Sequence, residues 1–338
     1  MTSMFGKPFT VITCLILFTI PNHATANNVL LDLPIDCRLG DTCFIQHYPD
    51  MDPSKTAKDH TCGFLTYEGH KGTDFRLRTL EDMETGVPVL AAADGVVSNL
   101  RDGIADQYFE DYPAAVRPRI KNTGLGNAVI LVHDNGYKTI YAHLKKNSIA
   151  VTKSQKVKRG DILGYVGLSG LTQFPHLHFQ VMFGKTVIDP FSGPQKNTPC
   201  THKETSLWSE TARQELEYQP TGFLVTGFSE TVPKNRRALE SGNMRQNLLP
   251  PNSRTLIFWS LYYGSQKNDI VTLTIIGPDN QQIKKYSPKR VSKNQISKYF
   301  FVGIKKPKSG WQKGEYRGQI TINRSSTTIA EEAKILVR

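Results

Sequence analysis

From about Gly63 to Gly193 the hydrophobic and polar positions rarely follow a helical period. Short β-branched or aromatic runs, bounded by Gly, Asp or Pro, follow one another instead: Val87 to Val97, Ala128 to His133, Tyr137 to Ala142, Ile162 to Val166 and Leu177 to Phe183. Such runs predict strands. Asp134-Asn135-Gly136 joins two of them, and its Asn-Gly step predicts a type I′ hairpin. The stretch Arg101 to Thr123 interrupts the series, with Tyr108, Phe109 and Tyr112 among acidic residues, and reads as an inserted loop. A second strand series follows: Thr255 to Tyr263, Ile270 to Ile276, Tyr299 to Ile304, Tyr316 to Ile322 and Ala333 to Val337. Spaced turns between short strands suit an immunoglobulin-like sandwich. The expected fold class is therefore mainly β: an antiparallel sheet domain followed by a C-terminal immunoglobulin-like β-sandwich.

A chain of 338 residues suits two folded units. Lys7, the apolar run Phe9 to Ile20 and the small-x-small Ala24-Thr25-Ala26 read as a signal peptide over residues 1–26. The run is shorter than the ~20 residues a spanning helix needs. The expected organisation is then an N-terminal extension at 27–62, a first domain at 63–203, a short helix or linker at 204–221 and a second domain at 222–338. Export implies a periplasmic location, or otherwise secretion.

Charge separates the two units. Residues 1–221 hold 22 Lys+Arg and 23 Asp+Glu, whereas residues 222–338 hold 20 and 7, so the net values are −1 and +13. A basic second domain, with Lys284, Lys285, Lys289, Arg290, Lys293 and Lys298 in one stretch, suits an anionic glycan or membrane surface. Nucleic acid fits the charge too, but export argues against it. The cysteines outside the leader, Cys37, Cys43, Cys62 and Cys200, are even in number, as expected of disulfides in an oxidising compartment. Of three formal pairings, the five-residue spacer favours Cys37–Cys43, which leaves Cys62–Cys200. A structural zinc cluster is the alternative, although the C-x2-C and C-x4-C spacings are absent.

Candidate chemistry lies in three short motifs: Gly69-His70-Lys71-Gly72-Thr73-Asp74, Tyr141-Ala142-His143-Leu144 and Pro175-His176-Leu177-His178-Phe179. Residues two or four apart on an extended chain share a face, so His70 with Asp74, and His176 with His178, can converge on one ion. Two imidazoles and a carboxylate leave a fourth position open, as catalytic zinc requires. Each motif is common alone; their order is not. Together with Gly86 to Val97, Gly124-Leu125-Gly126-Asn127, Lys158 to Gly164 and the G-x-S-G at Gly167-Leu168-Ser169-Gly170, the series resembles the lysostaphin/LytM-type zinc metallopeptidase family over nearly all of residues 63–191.

That resemblance implies one Zn2+ per chain held by His70, Asp74 and His178, with His143 and His176 as the catalytic histidines beside it. It also implies a zinc metalloendopeptidase that hydrolyses peptide cross-links in peptidoglycan; a D-amino-acid-containing bond is preferred over a glycine bridge. The alternatives are a non-catalytic wall-binding or amidase-regulating protein on the same fold, and a zinc peptidase of secreted proteins. All five positions being intact argues against the first. Tyr141 could assist by hydrogen bonding or simply pack in the core. His47, His60, His133 and His202 fall outside every motif and are expected to be structural. Residues 27–61 and 101–123 lie outside the family pattern.

Overall fold

The computed structural model describes residues 1–2, 29–194 and 205–338. The leader assigned to residues 1–26 lies almost wholly outside these residues. In the first unit the strands are β1 (Cys43–His47), β2 (Thr73–Leu77), β3 (Pro88–Leu90), β4 (Gly95–Arg101), β5 (Asn127–Val132), β6 (Tyr137–Leu144), β7 (Lys156–Val157), β8 (Ile162–Tyr165), β9 (His176–Phe183) and β10 (Thr186–Ile188). The main sheet has the order β1-β2-β9-β6-β5-β4-β7, with β10 paired to β9, and β3 pairs with β8 apart from it. All of these pairings are antiparallel.

The N-terminal segment is no appendage. Its strand β1 extends the main sheet beside β2, and Leu31, Ile35, Phe44 and Tyr48 are buried in the same apolar core as Phe75, Leu177 and Phe179. Cys37 and Cys43 are joined in a disulfide next to that strand. Cys62 is disulfide-bonded as well, and its expected partner Cys200 lies outside the described residues.

Two local expectations need correction. The β5–β6 connection is not a type I′ turn, because only Gly136 takes a positive φ, 82°, while Asn135 does not. The Gly136 amide donates to His133 O at 3.0 Å, which marks a turn closed by one left-handed glycine. The segment 101–123 is not a plain loop either. It contains a 3-10 turn at Phe109–Asp111 and the short helix α2 (Arg117–Asn122), which follows α1 (Leu80–Thr85). Pro118 is tolerated there because the first turn of a helix has no partner for the missing N–H.

After α3 (Glu210–Glu215), within the stretch expected to be a helix or linker, come β11 (Gly222–Ser229), α4 (Arg236–Glu240), β12 (Leu248–Leu249), β13 (Thr255–Ser265), β14 (Ile270–Ile276), β15 (Gln282–Tyr286), β16 (Gln295–Lys305), β17 (Gly314–Arg324) and β18 (Thr327–Val337). They form two sheets, β11-β13-β16 and β12-β18-β17-β14-β15. Phe258, Tyr262 and Val302 from one sheet meet Leu273, Ile320 and Ile335 from the other, so the second unit is a two-sheet sandwich.

The other face of β11-β13 supplies Val225, Trp259, Leu261 and Tyr263 to the core of the first unit. One polar contact is embedded in this junction. Arg76 on β2 donates to the Glu240 carboxylate on α4 and to Gln46 on β1, and both charged side chains are fully buried.

Candidate active site

Strand register brings most of the candidate residues together. Asp74 on β2 lies directly opposite His178 on β9 and opposite His47 on β1, so all three side chains leave one face of the sheet. His176, two residues before His178, shares that face. His70 does not belong to the strand, contrary to the extended-chain reading. It enters from the preceding turn, where Gly69 has φ 73°, and its Nδ1 donates to Tyr48 O at 2.8 Å. Gly72 allows close approach, since a Cβ there would stand 2.6 Å from His178 Nε2.

His143 reaches the site by another route. Asn127 pairs with Leu144 and Val129 with Tyr141, so Ala142 and His143 together oppose Ala128 in a β-bulge. Ala142 pairs with His178 and shares its face, and simple alternation would send His143 to the opposite face. His143 instead takes φ 61°, a left-handed conformation rare for a residue with a Cβ, and its ring lies 4.6 Å from that of His176. The bulge is held by the His143 amide donating to Leu125 O at 2.9 Å and the ring Nδ1 donating to Ser169 O at 2.8 Å. Gly126 and Gly170 meet closely beneath it, a Cβ on Gly170 falling 2.5 Å from Gly126 N.

The polar atoms converge on Asp74. Its Oδ1 lies 2.8 Å from His178 Nδ1, 3.2 Å from His70 Nε2 and 3.5 Å from His176 Nε2. Its Oδ2 accepts a hydrogen bond from His47 Nδ1 at 3.0 Å. Two sets, His70 with Asp74 and His178, and His143 with His176 and His178, bring their ligand atoms within 4.8 Å of one another. Tetrahedral zinc with bonds of ~2.0–2.1 Å has ligand-to-ligand edges of about 3.3 Å, close to the spacings around Oδ1. His70 fits a ligand role further because its Nδ1–H is committed to a carbonyl, which turns the Nε2 lone pair inward. The donor set thus suits a metal ion.

Burial by itself would raise the Asp74 carboxyl, but electrostatic interaction with the adjacent His70 and His176 imidazoles and the hydrogen bonds from His178 and His47 hold it well below the usual carboxylate range. His143 is pushed well below the usual imidazole value, first by burial and then by His176 and His178. His176 is lowered to about 4, chiefly by burial. Its Nδ1 donates to Phe174 O at 2.8 Å, so His143 and His176 are both neutral near pH 7 with Nε2 free to accept a proton.

Of the other candidates, Tyr141 is wholly buried and its hydroxyl serves Ala92 N and Thr139 Oγ1, so it is a core residue. His133 bonds Asp94 O and Thr139, and His60 stacks on Phe191, both structural. His202 lies outside the described residues. His47, expected with these three to be structural, instead belongs to the site, bonded to Asp74. Its one trace in the sequence is the strand-like run Cys43-Phe44-Ile45-Gln46-His47, and no motif marks that strand's neighbour in the sheet.

A cavity of about 410 Å³ opens over the histidines. Beyond them it is walled by Gln46, Tyr67, Phe109 of the inserted segment, Phe174, and Arg236 and Ile296 of the second unit.

Residues 68–190 match the profile of Peptidase family M23. The chain is 32% identical over 127 residues to the DD-carboxypeptidase/endopeptidase Mpg of Neisseria meningitidis serogroup B, covering 38% of this chain and 23% of that protein. It is 37% identical over 113 residues to the peptidoglycan DD-endopeptidase ShyA of Vibrio cholerae serotype O1, covering 33% of this chain and 20% of that protein. The chain therefore spans only about a fifth to a quarter of the length of these relatives. Among solved structures, the catalytic domain of lysostaphin from Staphylococcus simulans matches with a TM-score of 0.28 and 24% identity, over 43% of this chain and 85% of that one, a likeness too weak to argue from. The family match takes in His70, Asp74, His143, His176 and His178 together, so residues 68–190, the part of the chain that builds the histidine cluster, are the part that matches Peptidase family M23.

Proposed function

We propose that the protein is a zinc-dependent endopeptidase that hydrolyses peptide cross-links of bacterial peptidoglycan, at a D-amino-acid-containing bond. The observation that carries this reading is the convergence of His70 Nε2 and His178 Nδ1 on Asp74 Oδ1, beside two neutral imidazoles and beneath the cavity that Asp74, His143, His176 and His178 line. His70, Asp74 and His178 would hold one zinc ion. Bound there, zinc would supply Lewis acidity, lowering the pKa of water toward ~7 and polarising the peptide carbonyl. His143 and His176 then move the protons. A free Nε2 can take one from the attacking water, and the imidazolium so formed, disfavoured by burial, gives it up to the departing amine. The names of the relatives Mpg and ShyA support a DD bond.

The place of action proposed is the periplasm, or otherwise outside the cell, supported by the leader-like N-terminus and the Cys37–Cys43 disulfide. The basic second unit is proposed to hold the enzyme near an anionic glycan or membrane surface. Lys284 and Lys285 lie on β15, an exposed strand at the edge of its sheet. The purified full-length protein should release muropeptides from isolated sacculi, lose that activity to a chelator and regain it with zinc. Mass spectrometry of the products identifies the bond. Cleavage of casein with no release from sacculi would overturn the substrate assignment.

A further inference from the structure

Arg236, the first residue of α4, reaches from the second unit into the wall of the cavity over the histidines. Among the described residues lining that cavity it is the one permanent cation, and Asp74, the one carboxylate, has both oxygens occupied by imidazoles. Arg236 is incompletely neutralised. Its Nε lies 3.3 Å from Glu240 Oε1, the oxygen that also accepts from the fully buried Arg76. Two guanidinium charges thus share one carboxylate, which leaves one positive charge in excess. Arg76 is committed to Gln46 and Glu240 and lies over the Phe174 ring, so the excess is expressed at Arg236, whose side chain is 30% exposed.

The remaining contacts of Arg236 are long and neutral: Nη1 to Ser297 Oγ at 3.3 Å and Nη2 to Gln173 O at 3.4 Å. A carboxylate presented in the cavity would find a planar fork of N–H donors with capacity to spare. The neighbouring Arg237 offers no such capacity, being held by Asp111 at 2.7 Å and Glu110 at 2.6 Å. Those two acids are about half-exposed, so water screens them, and both are bonded to Arg237.

We infer that Arg236 is a specificity-determining residue, which binds a free carboxylate of the peptide substrate while the scissile bond lies at the histidine cluster. The inference rests on the endopeptidase reading and adds that the second unit selects the substrate. The test uses full-length, zinc-loaded protein and two synthetic cross-linked stem peptides, one with free carboxylates and one with carboxamides in their place. The wild type should favour the carboxylate peptide by about tenfold to a hundredfold in kcat/KM, mainly through KM. Arg236→Met should bring the two substrates within about twofold by losing only on the carboxylate peptide. Ser297→Asp, which sets a carboxylate beside the guanidinium, should do the same, and reads the ratio should Arg236→Met fail to fold. An unchanged ratio in the variants, or equal loss on both peptides, overturns the inference and leaves the peptidase reading intact. Should the wild type cleave neither peptide nor sacculi, the peptidase reading fails. Calorimetric binding of the carboxylate peptide then decides alone: binding lost in Arg236→Met supports the inference, and binding retained overturns it.

Discussion

His47→Ala should weaken zinc binding about 10- to 100-fold while leaving the fold intact. His47 Nδ1 fixes Asp74 Oδ2 at 3.0 Å and so presents Oδ1 to the metal, and losses of that size are typical when such outer partners are removed. Competition with a zinc chelator of known affinity measures it; an unchanged affinity would show that the carboxylate needs no such guide. His70→Ala and His178→Ala each remove one of the three proposed ligands and should abolish metal binding outright. His143→Ala and His176→Ala should lose turnover but keep most of the metal, as metal analysis of the purified variants would read. The convergence of His70, Asp74, His143, His176 and His178 was legible in the sequence because their spacings form local motifs. The sequence concealed His47 because a neighbour across a sheet leaves no local spacing, and it concealed Arg236 because that residue comes from a different folded unit.

At the scale of elements, strand alternation located β5, β6, β8 and β9 correctly but could not place His143. A period of two sends that ring to the wrong face, and the bulge with φ 61° depends on the loops around Leu125 and Ser169. The segment after β10 carries a buried acid. Asp189 is buried, accepts from Phe191 N at 2.9 Å and Ser192 Oγ at 3.2 Å, and is pushed up to about 7 by burial against an ordinary value of 3.8. Between those values the folded chain holds a proton that the unfolded chain releases. The contribution to stability is thus full below about pH 4 and is lost as pH rises through 7. Asp189→Asn keeps the shape without the titration, so its stability relative to the wild type should improve as pH rises from 5 to 7. The rate should be roughly 1.4 kcal/mol per pH unit at most. Urea unfolding of both proteins at the two pH values tests this, and parallel pH dependences would refute it.

At the scale of the whole molecule, the charge asymmetry and the second strand series reveal two units in the sequence, but not that they share an interior. Burial of Val225, Trp259 and Leu261 against the first unit depends on which face of β11-β13 turns outward from the sandwich, and hydrophobic residues on both faces of those strands leave that open. Glu240→Ala would leave Arg76 buried without its partner, at a cost of about 3–5 kcal/mol. The thermal midpoint should fall by roughly 4–7 °C. A fall of only a degree or two, measured by calorimetry, would mean that water reaches the junction. Residues 29–221 expressed alone should be poorly soluble for the same reason, whereas a separable catalytic domain would remain soluble and bind metal.

The shared interior also sets a timetable for synthesis. The cavity takes His47 from the first strand and Ile296 from β16, so its walls are drawn from residues some 250 apart along the chain. A ribosome adding about 5–20 residues per second needs on the order of tens of seconds to span that distance. Throughout that interval the growing polypeptide has no finished cleft, and a chain truncated before α4 lacks both Glu240 and Arg236. The cleft over the histidines is therefore completed by the last third of the chain to be made.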